Sequence, residues 1–93
     1  MVTVIYSIRD RDPERLRNSI KSLRKNTVEE ISFVVVDYGS SAYYAGKIYC
    51  ICKDEGAQYV RAESQGLPWS RSHALNIGVM NSNFKVVYLF QVF

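Results

Sequence analysis

Residues 31–41 read ISFVVVDYGSS. From Ile31 to Val36 the run is mainly apolar and rich in β-branched residues, with no polar face. Such a run suits an inner strand of a parallel sheet, covered by helices on both sides. It ends at Asp37-Tyr38-Gly39-Ser40, a turn after which Ser40 or Ser41 can cap a helix. A strand of this kind needs parallel neighbours and crossover helices, and the flanking sequence is searched for them.

Upstream, residues 2–8 (VTVIYSI) form a short β-branched run that reads as a buried strand. Asp12-Pro13-Glu14 then supplies an N-cap, a proline at the first helical position and an acid in the first turn. Leu16, Ile20 and Leu23 follow at helical spacing, which predicts a helix from Pro13 to about Lys25. Downstream, Tyr44, Ile48, Ile51 and Cys52 make the buried stripe of a second helix that Gly56 ends. Residues 57–62 (AQYVRA) are a less apolar strand, placed nearer an edge. Glu63 to Trp69 is a loop. Ser70 caps a third helix with Ala74, Ile77 and Gly78 inward, and residues 85–93 (KVVYLFQVF) are a fourth strand. The alternation β-α-β-α-β-α-β predicts an α/β fold in three layers, a mostly parallel sheet of four strands with helices on both faces.

The chain has 93 residues, 47% hydrophobic and 23% charged, a composition that fits a single folded domain spanning residues 1–93. The net charge is +3, and Arg9, Arg11, Arg15, Arg17, Lys21, Arg24 and Lys25 crowd the first quarter. They read either as a solvated helix face plus a loop or as an anion-binding edge. The modest total charge, and the lack of aromatics interleaved with the arginines, argue against a nucleic-acid partner. Cys50 and Cys52 point to different sides of a helix, so they read as reduced thiols. With no signal peptide in view, a cytoplasmic location is expected. No apolar stretch approaches the ~20 residues of a membrane span.

In open parallel sheets ligands gather beyond the carboxyl ends of the strands. Here those ends carry Ser7–Arg11, Asp37–Ser41 and Glu63–Arg71. Arginines and helix N-termini both favour phosphate oxygens. Arg9 and Arg11 either hold such an anion or pair with Asp10, Asp12 or Glu14. Asp37 either caps its turn or accepts hydrogen bonds from a ribose or base. Trp69 either walls a pocket or covers the sheet end, and His73 reads as a surface or packing residue. No Walker A loop, G-x-G-x-x-G fingerprint or G-x-S-x-G elbow is present.

Three stretches together resemble the N-terminal, nucleotide-binding part of a GT-A glycosyltransferase (a nucleotide-diphospho-sugar transferase-like fold), of the family-2 and galactosyltransferase type. SIRDRDPERL (7–16) is similar to the arginine-bearing loop with which galactosyltransferases hold uridine diphosphate. VVVDYGSS (34–41) is close to the D-D-G-S element of family 2, with Tyr38 in place of the second acid. WSRSHALNIGV (69–79) is similar to the R-x-x-x-L-N-x-G stretch of that group. The resemblance implies a nucleotide-binding role for Arg9, Arg11, Asp37 and Arg71. It also implies that Asn76 ties the third helix to a neighbouring loop and that Gly78 lets this helix lie close to the sheet. Intact relatives transfer a sugar from a nucleotide-diphosphate donor, and the metal-dependent ones use an Asp-x-Asp motif after the fourth strand to hold Mn or Mg. Here Gln91 and Phe93 fall at those positions, and no acid follows Glu63. The expectation is therefore a truncated GT-A domain without a catalytic residue or metal ligand of its own, retaining nucleotide binding at most. The alternative is a non-enzymatic assembly module that self-associates through Val86–Phe93, an apolar strand at a sheet edge.

Overall fold

Strands β1 (Val2–Ile8) and β2 (Ile31–Tyr38) pair in parallel along their whole length, from Val2 opposite Ile31 to Ile8 opposite Asp37. The computed structural model describes residues 2–26, 30–62, 68, 70–80 and 86–91. Around this pair the elements run β1, α1 (Glu14–Asn26), β2, α2 (Ala42–Glu55), β3 (Gln58–Ala62), α3 (Arg71–Met80) and β4 (Val86–Gln91). The strands are ordered β3-β2-β1-β4 and every pairing is parallel. The α/β class with alternating helices thus stands, and β3 takes the edge position that its weaker apolar pattern suggested.

The strand order dictates the layers. The steps β1 to β2 and β2 to β3 run one way across the sheet, and the step from β3 to β4 returns past both. Right-handed crossovers then put α1 and α2 on one face and α3 on the other. The core divides accordingly. Val4, Tyr6, Ile8, Phe33 and Val35 pack against Leu16 and Ile20 of α1 and Ile48, Ile51 and Cys52 of α2. Ile5, Val34, Val36, Tyr38 and Ala62 pack against Ala74 of α3.

Local signals set the helix ends. Asp12 Oδ1 accepts the Glu14 N–H at 3.0 Å, and Arg17 N–H donates to the Pro13 carbonyl, so α1 begins at Glu14, one residue later than the sequence pattern predicts, with Pro13 flanking it. Gly56 closes α2 in the left-handed conformation (φ 72°) that a C-cap glycine adopts. Ser70 Oγ accepts the His73 N–H at the start of α3. The start of α2 differs from the simple serine cap. Ser41 occupies the N-cap but its side chain makes no capping hydrogen bond, and Ser40 is fully buried with its hydroxyl engaged elsewhere.

Gly78 faces the sheet, as expected. A Cβ built there would lie under 3.0 Å from Ile5 Cγ2 and 3.1 Å from Val36 Cγ2, so only hydrogen fits between α3 and the β1–β2 pair. Much of the basic character of α1 is used within the fold. Arg17 pairs with Asp54 at 3.6 Å, while Lys21 and Arg24 reach Glu55 at 4.0 and 3.5 Å. Arg24 also donates to the Glu55 carbonyl, at the C-terminal end of α2 where a cation is favoured. No helix among the described residues is long and apolar enough to cross a membrane. Both cysteines are free, Cys50 exposed and Cys52 buried, on different sides of α2 as their spacing requires.

Candidate functional site

All strands are parallel, so their carboxyl ends share one rim of the sheet, and α3 begins at that rim. Strand order reverses between β1 and β4, where crevices form in such sheets. The loop after β1 carries Arg9, Asp10 and Arg11, the loop after β2 carries Gly39 to Ser41, and β3 ends in Arg61 and Ala62.

Asp37 is fully buried, and both its oxygens are occupied. Oδ1 accepts the Ser40 N–H at 2.9 Å, which fixes the turn at Gly39 (φ 77°). Oδ2 accepts the Tyr59 hydroxyl at 2.5 Å and Arg61 Nη1 at 3.1 Å. The β2–β3 register places Asp37 opposite Arg61, and Tyr59, two residues earlier, shares Arg61's side of the strand. Arg61 also donates through Nη2 to the Ser40 carbonyl at 2.9 Å, which binds the turn a second time. A ligand reaches this carboxylate only by displacing one of these partners. Burial first, and then the hydrogen bond to Asp37, push the Tyr59 phenol up to about 12. Burial, with a smaller contribution from the Asp37 charge, pushes the Cys52 thiol up to about 12. Both groups stay protonated near neutrality.

A second device joins the loops after β1 and β2. The Asp10 N–H donates to Ser40 Oγ at 3.0 Å, and Asp10 Oδ1 accepts the Ser41 N–H at 2.7 Å. Asp10 does this at φ 49°, a left-handed conformation that aspartate tolerates better than most residues. The clasp fixes the chain on both sides of the rim next to Arg9.

Arg9 lies on the other face of the sheet from Asp37. Its guanidinium carbon sits 6.0 Å from the centroid of the Tyr38 ring, within cation–π range. Tyr38 is buried on the α3 face, and its hydroxyl is 2.7 Å from His73 Nδ1, with the two rings edge to face at 5.3 Å. Arg9 is half-buried and Arg11 exposed. Among the described residues neither forms an ion pair, and the candidate partners Asp10 and Asp12 are engaged with the backbone.

Of the four site residues read from the sequence, Arg9 and Arg11 share the rim loop and Arg71 opens α3 at the same rim. Asp37 faces the α1–α2 side. The Arg71 side chain, Trp69 and Phe93 lie outside the described residues. Asn76 is exposed and makes no hydrogen bond among the described residues, so the expected tie to a neighbouring loop is not found there. Sequence reasoning missed Tyr59 and Arg61 as partners of Asp37, Asp10 as a clasp, and the link from Tyr38 to His73. The alternation Tyr59-x-Arg61 on an edge strand beside a strand ending in aspartate was the available signal for the first.

Among the described residues no group of three or more His, Cys, Asp or Glu side chains is placed to hold a metal ion. Gln91, which closes β4 opposite Ser7, is a neutral amide. Among the described residues the donor set does not fit the divalent metal of the resembled group. No protein-family model, curated protein or solved structure matches the chain.

Proposed function

We propose that the chain is a GT-A-like nucleotide-binding domain that takes the diphosphate of a nucleotide, or nucleotide-sugar, at the carboxyl rim of its sheet. In the glycosyltransferases it resembles, such a domain serves sugar transfer to an acceptor. For this chain the proposal is binding, without a catalytic residue. The observation that carries it is the state of Arg9. Arg17, Lys21, Arg24 and Arg61 are committed to carboxylates, whereas Arg9 is half-buried beside the β1–β4 switch point and pairs with no acid among the described residues. Among the described residues the donors of this guanidinium take no hydrogen bond or ion pair, and they have the geometry that a phosphate accepts. Arg11 in the same loop and Arg71 at the head of α3 add positive charge there, and Asp37 contributes by fixing the neighbouring turn. The strand order 3-2-1-4 and the close seat of Gly78 also support the reading. Calorimetric titration with uridine diphosphate, with and without manganese, tests the proposal. Binding that ignores manganese and is lost in Arg9→Ala supports it, and binding that requires manganese, or no binding, opposes it.

The outer position of β4 supports a second reading, an assembly module. A second copy adding a strand there extends the sheet through backbone hydrogen bonds. Sedimentation at rising concentration separates the two, since a monomer throughout removes this reading.

A further inference from the structure

We propose that His73 is a ligand-binding residue of the rim, placed by Tyr38 to donate from Nε2 to the same anion that Arg9 engages, a diphosphate group. The inference rests on the nucleotide-binding reading above and names a donor that the sequence motifs do not supply. Its basis is one contiguous set of contacts. Tyr38 is the last residue of β2 and is held by burial between the sheet and α3. Arg9 lies over its ring, and its hydroxyl meets His73 Nδ1 at 2.7 Å. One buried phenol therefore contacts both a guanidinium and an imidazole.

The geometry of the imidazole gives the chemistry. When the Tyr38 hydroxyl donates to Nδ1, the neutral ring carries its proton on Nε2. When the ring is protonated, Nδ1 donates to the Tyr38 oxygen and Nε2 still carries a proton. In both of these states the second nitrogen is a donor, whereas the neutral tautomer protonated on Nδ1 would make it an acceptor, and the ring nitrogen shifts of the free protein distinguish them. His73 is exposed, and its ring makes no other hydrogen bond among the described residues. A diphosphate offers several acceptor oxygens, enough for the guanidinium and the imidazole together.

His73 is the chain's single histidine, so its ring signals in a nitrogen–proton NMR spectrum are identified without further assignment. Inorganic pyrophosphate and uridine diphosphate are titrated separately into the wild type, His73→Gln, Tyr38→Phe and Arg9→Ala. The expected result is a shift of the His73 ring signals on adding either probe. Loss of one hydrogen bond to a charged group also corresponds to about tenfold weaker binding in His73→Gln. Tyr38→Phe, which keeps the ring and the fold but frees the imidazole, is expected to weaken binding partially and to change the Nε2 signal before any ligand is added. Uridine diphosphate binding that is lost in Arg9→Ala but unchanged in His73→Gln, with the ring signals still, overturns this inference and leaves the nucleotide reading in place. Pyrophosphate that moves His73 and binds as tightly as uridine diphosphate supports the inference and removes the nucleoside from the reading. No response to either probe overturns both.

Discussion

Replacing Gly78 with alanine sets two effects of opposite sign against each other. In an exposed helix the change gains about 1 kcal/mol of helix propensity. Here the added methyl would enter a space already taken by Ile5 Cγ2 and Val36 Cγ2. Both side chains are β-branched and fully buried between the strands and α3, so neither swings aside without moving the backbone. Overpacking of a tight core costs about 1–3 kcal/mol, and two such contacts argue for the upper end. The net is a loss of about 2 kcal/mol, which for a domain of this size lowers Tm by roughly 8–16 °C. Thermal and urea unfolding followed by circular dichroism measure it. The double variant with Ile5→Leu, which removes the offending branch while conserving volume, is expected to recover part of the loss as a coupling between the two sites. A Gly78→Ala protein as stable as the wild type, or more so, would refute the close seat of α3 on β1 and β2.

Other outcomes follow from the rim. Arg61→Leu leaves the buried Asp37 with only neutral donors, and a loss of about 3 kcal/mol is expected in urea unfolding, the low end for a broken buried pair because Tyr59 and Ser40 remain. Cys52 and Tyr59 both have folded-state values raised to about 12, from 9.0 and 10.0. Their contribution is therefore complete below about pH 9 and is lost as pH rises through 9–12, where the unfolded chain releases protons first. Unfolding midpoints measured across that window should fall, and Cys52→Ala should flatten the part that begins at the lower end. Asp10→Gly loses the carboxylate but suits φ 49°, whereas Asp10→Ala loses the carboxylate and adds a left-handed penalty of about 1 kcal/mol or more, so the alanine variant should be the less stable in the same assay.

The sequence carried the elements further than it carried their encounters. Asp12-Pro13, Gly56 and the 16-20-23 spacing act over a few residues, and each does locally what its chemistry requires. Gly78 was legible because a helix tolerates glycine at a cost, and contact with a strand is the common reason for bearing it. The partners of Asp37 were not legible, because they arise from the register that brings residue 37 beside residue 61 across a whole βαβ unit. The link from Tyr38 to His73 depends likewise on where α3 crosses the sheet. That Asp37 and Arg9 face opposite sides of the sheet has a simpler origin. A motif gives positions along the chain, and the period of two along β1 and β2 sends Asp37 and Tyr38 to opposite faces. Arg9 settles against the second of these. Ser41 does take the N-cap of α2, but without a side-chain hydrogen bond, and the Ser40 hydroxyl and Ser41 N–H are bound instead by Asp10, far away in sequence.

The most direct test of the central claim is a titration of the wild-type chain with uridine diphosphate, followed by backbone amide NMR. The account expects saturable shifts at residues 7–10, 38–41 and 70–73, around the carboxyl rim, with the exposed basic side of α1 unaffected. Shifts centred on α1, or no saturable shift at all, would contradict it.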